Sequence, residues 1–180
     1  MGLTLGYFAA KLGMHYLSEH RALDEELVCI SETDACCCDA IQVLTGCTFG
    51  KGNFIYKDIG KMAFTFISRT SSIGVRLSMK PGVMDIPEVE QNLLNKIRSQ
   101  SATPDDIKKY EELHENRSKD LFEKGPRAFF SMDELQIAMP RKARMAPSQP
   151  CENCREAVME TKLQDIDGKK LCRSCYSLDR

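Results

Sequence analysis

The 180-residue sequence contains no tryptophan, no long apolar run and no excess of charge of either sign. No apolar stretch approaches the roughly 20 residues that a membrane-spanning helix needs, so a membrane protein is not expected. The amino-terminal residues lack the basic flank and apolar segment of an export signal, and we therefore expect a cytoplasmic protein. Because 25 basic side chains accompany 26 acidic ones, the overall charge does not favour a general polyanion-binding role.

Cysteine, in contrast, is abundant, with nine residues in the chain. In a small secreted protein this number would suggest a disulfide framework, but the odd count and the missing export signal favour reduced thiols. Near the carboxy terminus, four of the nine form two Cys-x-x-Cys pairs: Cys151, Cys154, Cys172 and Cys175. This spacing is typical of zinc modules, in which each pair forms a turn that directs both sulfurs to one ion.

The segment that carries these pairs is too short to fold around a hydrophobic core of its own, so we expect zinc to stabilise it. Four protein ligands leave no coordination position for a substrate, and the predicted role of this zinc is structural. Redox-active cysteine pairs are the alternative. Binding of nucleic acid is not expected, because no stripe of aromatic and basic residues is present and neutralisation of the thiolates explains the nearby basic side chains.

Helical and strand-like patterns alternate in the first half of the chain. Apolar residues spaced by three and four predict a helix over 3–20, and Asp34 is expected to cap a second helix over 35–45. Strands are expected from a short apolar run and three further segments: 27–30, 54–58, 61–69 and 73–80.

From residue 87 onward the pattern is helical again. Thr103 is expected to cap, and Pro104 to begin, a helix that ends at Gly125. Four of the seven prolines then follow within 25 residues, at positions 126, 140, 147 and 150, which is the composition of a linker.

A second cluster of cysteines, Cys36, Cys37 and Cys38, falls in the expected first turn of the 35–45 helix. The free N–H groups and the helix dipole there favour thiolates, the form that binds soft metals. Consecutive helical side chains point about 100° apart, so the three cannot all face one ion. Either one or two of them bind a metal together with Asp39, or they pack as small apolar residues and Asp39 only complements the dipole.

The glycine-punctuated turn at 46–53 contains Lys51 and suggests a phosphate-binding loop, but its spacing does not match the Walker pattern. Anion binding by Lys51 and the turn amides stays open as one interpretation, and a tight connection into the following strand is favoured. The isolated histidines are expected to be surface or packing residues: His15, His20 and His114.

Together these residues resemble the FmdE family of formylmethanofuran dehydrogenase proteins. The resemblance covers nearly the whole chain and rests on five segments: 2–7, 32–42, 46–53, Asp58-x-Gly60-Lys61 and Val75-Arg76. It implies an α+β domain of helices packed on an antiparallel sheet, commonly a homodimer, with a small treble-clef-like or zinc-ribbon-like module attached. It also implies association with a molybdenum- or tungsten-dependent formylmethanofuran dehydrogenase.

Members of this family carry a His-Gly-His-type motif just before the stretch that corresponds to residues 2–6, whereas this sequence begins at Met1. We therefore expect an N-terminally truncated FmdE-like domain at 1–125, a linker at 126–148 and a C4 zinc module at 149–180; genuine loss of the motif is the alternative. The family histidines would share a metal site with the cysteine that aligns with Cys36. The possible second metal site in this chain comprises Cys36 and Asp39 together with Cys38 or Cys47.

The function predicted from the sequence is that of a metal-binding accessory protein rather than a stand-alone catalyst. It would contain structural zinc and a second transition metal in the amino-terminal domain, and it would serve a molybdenum or tungsten oxidoreductase. A regulatory or adaptor protein that acts through the zinc module and the basic linker is the second hypothesis. A thiol enzyme with Cys36 as nucleophile is the third, and it is disfavoured because no histidine lies nearby in sequence.

Overall fold

The computed structural model describes residues 1–177, and its amino-terminal unit is Met1–Lys142. Two helices that pack closely on one another form one layer of this unit. Helix α1 (Gly2–Leu17) buries Leu5, Phe8 and Leu12 at the spacing that its sequence pattern predicts. Helix α2 (Cys37–Thr45) lies against it, and Gly6 of α1 makes the contact possible. A Cβ atom on Gly6 would lie closer than 3.0 Å to the backbone of Cys37.

A five-stranded sheet forms the other layer of this unit. Its strands are β1 (Leu27–Ser31), β2 (Phe54–Tyr56), β3 (Ala63–Ser68), β4 (Gly74–Met79) and β5 (Phe130–Leu135), in the spatial order β2-β1-β3-β4-β5. All neighbouring pairs are antiparallel except β1 and β2, which run parallel because α2 returns the chain between them. Fully buried Phe64, Phe66 and Leu77 line the core, and the expected α+β fold is confirmed.

Helices α3 (Glu88–Arg98) and α4 (Pro104–Lys124) pack on one another between β4 and β5 in the chain. Thr103 caps α4 as the sequence predicts. Its hydroxyl oxygen accepts a hydrogen bond from the Asp106 N–H at 3.2 Å, and the Asp106 carboxylate accepts one from the Thr103 N–H at 3.1 Å. The Arg117 guanidinium, on α4, lies 2.8 Å from the buried Glu90 carboxylate on α3.

The start of α2 differs from the sequence prediction. Asp34 makes no capping hydrogen bond: the N-cap residue is Cys36, and the helix begins at Cys37. The preceding turn is instead held by Thr33, whose hydroxyl oxygen accepts a hydrogen bond from the Ala35 N–H at 3.3 Å. Only Cys37 and Cys38 therefore lie within the first turn itself.

The first part of the segment predicted as a linker, 126–148, forms regular structure, whereas 136–147 contains no helix or strand. Helix α5 (Pro126–Phe129) leads directly into β5, which pairs with the whole of β4. Pro126 occupies the first position of α5, where the missing N–H costs nothing, so this proline begins a helix rather than a linker. The amino-terminal unit consequently extends to Lys142.

The carboxy-terminal unit begins at Ala143 and consists of two short hairpins and a helical turn. Strands β6 (Ser148–Pro150) and β7 (Ala157–Met159) form the first hairpin, and a 3₁₀ turn at Glu160–Lys162 follows. Strands β8 (Gln164–Ile166) and β9 (Lys169–Leu171) form the second hairpin, after which comes helix α6 (Arg173–Tyr176). Among residues 1–177, no helix is both long enough and apolar enough to cross a membrane.

Candidate metal centre

The structure brings together the four cysteines of the carboxy-terminal pairs. The Sγ atoms of Cys151, Cys154, Cys172 and Cys175 all lie within 4.8 Å of one another, and none of them is in a disulfide. The Cys154 and Cys172 sulfurs are 3.8 Å apart. Four Zn–S bonds of about 2.3 Å in a tetrahedron place the sulfurs about 3.8 Å apart, so the cluster has the dimensions of a zinc site.

Two backbone turns position these sulfurs. In the first, the Arg155 N–H donates to the Cys151 carbonyl oxygen at 2.9 Å between β6 and β7. In the second, at the start of α6, the Cys175 N–H donates to the Cys172 carbonyl oxygen, also at 2.9 Å. The order is a knuckle in a hairpin, a second hairpin, and then a helix that carries the second pair, as expected for a treble-clef-like module.

Hydrogen bonding to one sulfur prepares it for metal binding. The Cys172 N–H donates to the Cys151 sulfur at 3.3 Å and, together with other backbone N–H groups of the first turn, lowers the pKa of Cys151 to about 6. This shift favours the thiolate, the form that ligates zinc. Four sulfurs saturate a tetrahedral zinc ion, so this centre can stabilise the module but offers no position for a substrate.

The structure does not bring together the residues of the predicted second metal site. Cys36 is exposed at the N-cap of α2, and Asp39 is exposed one turn further along that helix. Cys38 is buried, and its sulfur lies 3.1 Å from the Thr33 carbonyl oxygen and 3.3 Å from the Ser31 hydroxyl. Cys47 is buried elsewhere in the core, where its thiol donates to the Leu27 carbonyl oxygen at 3.3 Å.

The pKa values of the two buried thiols shift in opposite directions. Hydrogen bonding from the Cys37 thiol, followed by that from the Ser31 hydroxyl, lowers the pKa of Cys38 to about 7, whereas burial raises the pKa of Cys47 to about 11. Across residues 1–177, only the carboxy-terminal sulfurs form a group of three or more side chains close enough to hold one ion. Of the residues predicted for a second metal site, Cys36 and Asp39 are thus the two that are exposed to a ligand.

Lys51 links two loops. Its ammonium group donates to the carbonyl oxygens of Ala22, at 3.2 Å, and Asp24, at 2.9 Å. The neighbouring turn is closed by internal bonds, among them that from the Thr48 N–H to the Asn53 side-chain oxygen at 2.9 Å. This geometry agrees with a tight connection into β2 and gives no support to anion binding at Lys51.

An ion pair near the start of α2 is not predicted from the sequence. The Glu32 carboxylate, at the end of β1, accepts two hydrogen bonds from the Arg76 guanidinium of β4, at 2.7 and 2.8 Å. The pair fixes the backbone four residues before Cys36. The sequence does single out both residues, since Glu32 and Arg76 lie in segments that carry the family resemblance. Their pairing could not be predicted, because it depends on the register of β1, β3 and β4.

Comparisons with known proteins agree with this architecture. Residues 1–131 match the family described as FmdE, molybdenum formylmethanofuran dehydrogenase operon, and residues 145–178 match the prokaryotic dksA/traR C4-type zinc finger. The crystal structure of a tungsten formylmethanofuran dehydrogenase FmdE-like protein from Syntrophus aciditrophicus is similar over 99% of this chain and 84% of that one. The two share 25% sequence identity and superpose with a TM-score of 0.63.

A probable S-adenosyl-L-methionine-binding protein of Archaeoglobus fulgidus is 29% identical over 157 residues. The match includes 86% of this chain but only 42% of that protein, so the chain spans about two fifths of the length of this curated relative. The family match, in contrast, includes α1, α2 and all of the strands β1–β4. The chain therefore belongs to the FmdE family and carries a C4 zinc finger in its carboxy-terminal unit.

Proposed function

We propose that this chain is a metal-binding accessory protein of a molybdenum or tungsten oxidoreductase. In this proposal the zinc of the C4 module is structural, and the FmdE domain presents Cys36 as a ligand to a second metal or to a metal-bearing cofactor. The observation that carries the proposal is the exposed thiol of Cys36 at the N-cap of α2. The family description and the tungsten enzyme named for the structural relative support the class of partner.

The Cys36 sulfur lies close to the starts of both α1 and α2. A Cβ atom on Gly2 would lie closer than 3.0 Å to the Cys36 sulfur, so the glycine leaves room for this sulfur at the start of α1. Cys36 itself stands at the start of α2. The first N–H groups of a helix have no partners within that helix, and two such helix starts therefore meet at this thiol.

Cys36 alone does not complete a metal site. Asp39 lies one helical turn away and offers a carboxylate, while the Cys38 and Cys47 thiols are held inside the core. This chain would thus supply a part of the coordination sphere, with water molecules as the remaining ligands until the cofactor or the partner protein replaces them. An incomplete set of ligands favours an accessory role over that of a stand-alone catalyst.

An apolar surface adjoins this incomplete site. Leu3 and Tyr7 of α1, Val43 of α2 and Phe122 of α4 line a cavity of about 460 Å³ together with Asp39. Val43 is 69% exposed and Phe122 is 58% exposed. Exposed apolar clusters of this kind are typical of protein contacts, and we propose that the oxidoreductase docks here. A second copy of this chain, as in the homodimer that the resemblance implies, is the competing occupant.

Metal analysis of single variants tests the proposal. The wild-type protein is expected to hold zinc and a second metal, C172S to lose the zinc, and C36S to lose only the second metal. C38S serves as the matched control because its thiol faces the core, and it is expected to retain both. Equal total metal in the wild type and C36S would rule out the amino-terminal site while leaving the zinc module intact.

A second candidate function rests on the match of residues 145–178 to the dksA/traR zinc finger. In this case the module would act as an adaptor for a protein or nucleic acid rather than as a structural support alone. Salt-dependent binding to nucleic acid that is lost when residues 141–180 are deleted would favour this candidate over the accessory role.

A further inference from the structure

We propose that the amino-terminal unit binds a small, multiply charged anion in a basic cavity at the end of α1. Four basic side chains line this cavity, which has a volume of about 530 Å³: Lys11, His15, His20 and Arg21. They lie in the half of α1 that is remote from Cys36 and in the loop that follows the helix, so this site is separate from the one proposed to serve a metal.

The chain brings the four groups together from two directions. Lys11 and His15 are four residues apart on α1, and side chains with this spacing project from the same face of a helix. The helix ends at Ser18, whose left-handed backbone conformation, with a φ of 53°, turns the chain. His20 and Arg21 line the cavity from the loop that follows α1, whereas Lys11 and His15 line it from the helix.

The loop that carries Arg21 is docked on the end of α2. The Ala22 N–H donates to the Thr45 carbonyl oxygen at 2.7 Å, and the Arg21 Nε–H donates to the Val43 carbonyl oxygen at 3.1 Å. Gly46 permits this contact, because its φ is +69° and a Cβ atom there would lie closer than 3.0 Å to the Ala22 carbonyl oxygen. Arg21 is thus held in place through Nε, while its two terminal nitrogens remain available for a ligand.

The basic side chains of this cavity form no ion pair with the part of the protein that the structure describes. Within residues 1–177, no carboxylate lies within 4.0 Å of a charged nitrogen of any of the four basic side chains. The acidic residue of the lining, Glu19, instead accepts a hydrogen bond from the Ser68 hydroxyl. Arg76 and Arg117, in contrast, each have a carboxylate partner at 2.8 Å or closer. The Lys11 ammonium and the Arg21 guanidinium would attract an anion into the cavity.

The size and lining of the cavity indicate the class of ligand. Its volume lies within the range of about 300–1,000 Å³ that is typical of small-molecule sites. Leu12 and Leu44 form an apolar part of the lining beside the basic groups. A guanidinium and an ammonium group bind phosphate and carboxylate oxygens through charge-assisted hydrogen bonds. The expected ligand is therefore a small molecule that carries at least two phosphate or carboxylate charges.

Isothermal titration calorimetry at low ionic strength tests this inference, with pyrophosphate and citrate as separate probes for the two chemistries. The K11Q/R21Q variant is expected to bind the preferred probe about tenfold or more weakly than the wild type, because two charged contacts are lost. The matched control is K108Q/K109Q, which removes the same charge from an exposed part of α4. This control is expected to bind as the wild type does.

Because Arg21 also contributes a bond to the fold, the single variant K11Q is measured as well, and circular dichroism verifies that each variant is folded. K11Q alone is expected to weaken binding by a factor of about three or more. The proposal is overturned if the wild type binds neither probe at concentrations up to about 10 mM. It is equally overturned if both double variants lose the same affinity, or if K11Q/R21Q binds as tightly as the wild type.

Discussion

Glu32 and Arg76 join the end of β1 to β4 across β3, close to the start of α2. Both guanidinium-to-carboxylate contacts are 2.8 Å or shorter, and the two side chains are only 11% and 26% exposed. A bidentate pair of this kind has fixed geometry and is screened less by water than an ion pair on the surface. The hydrogen bonds from Arg76 lower the pKa of Glu32 below its ordinary value of 4.5. The pair is therefore expected to stabilise the fold and to hold the segment that leads to Cys36.

Substitution of Glu32 should reveal this contribution. E32Q keeps the shape of the side chain but removes its charge, and we expect the free energy of unfolding at pH 7 to fall by about 1–3 kcal/mol. E115Q is the matched control, because Glu115 pairs with Lys119 at 2.8 Å on the exposed face of α4. We expect this control to change the free energy by less than about 0.5 kcal/mol. Urea denaturation of the two variants and the wild type supplies the comparison.

The same pair predicts a dependence on pH with a definite sign. Because the pKa of Glu32 is lower in the folded state than in the unfolded state, its contribution is complete above about pH 4.5 and is lost as the pH falls through the folded-state pKa. The difference in stability between the wild type and E32Q should consequently shrink on acidification. A difference that stays constant between pH 7 and about pH 3.5 would contradict the role given to Glu32.

At the scale of secondary-structure elements, the close packing of α1 on α2 positions Cys36. Gly6 of α1 faces the Cys37 backbone, which cannot move aside as a flexible side chain would. In an isolated helix, replacing glycine by alanine is favourable by about 1 kcal/mol, but here the added methyl group must separate the two helices. We expect G6A to lower the free energy of unfolding by at least about 2 kcal/mol, measured by urea denaturation.

Gly50 provides the matched control for this substitution. A Cβ atom on Gly50 would have no neighbour within 4 Å, and its φ lies outside the left-handed region. G50A is therefore expected to change the free energy of unfolding by less than about 1 kcal/mol. If G6A were as stable as G50A, α1 and α2 could accommodate a methyl group at their contact, and the position of Cys36 would not depend on Gly6.

Local signals explain which elements the sequence predicts. The apolar spacing of α1 and the capping box of Thr103 depend on residues close together in the chain, and both are confirmed. Where β5 lies, the sequence predicts a linker instead, because Pro126 suggests a break in the chain. Local patterns do not reveal β5, since its pairing with β4 joins residues more than 50 positions apart. The sulfur of Cys47 lies away from Cys38 for a similar reason, since only the packing of β1 and α2 decides which way each thiol faces.

At the scale of the whole molecule, the two units owe their stability to different causes. The amino-terminal unit buries large apolar side chains, among them Leu27, Phe64 and Phe66. In the described part of the carboxy-terminal unit, 143–177, the only buried side chains are those of Cys151 and Cys172. An apolar core cannot stabilise a segment with so few buried groups, whereas structural zinc contributes about 10–16 kcal/mol in small zinc-binding peptides. The zinc cluster thus takes the place of a core there.

Removal of zinc should consequently unfold one unit and spare the other. After treatment with a chelator, the amides of β6–β9 are expected to lose their protection from hydrogen exchange, because the four sulfurs no longer hold the hairpins together. The amides of β3 and β4 are expected to exchange as slowly as before, since their core contains none of the four ligands. C172S should reproduce this pattern without a chelator, and C38S is the control in which the zinc ligands are intact. Loss of protection in β3 and β4 would show that the core also depends on the metal, and protected hairpins after chelation would show that zinc does not stabilise the module.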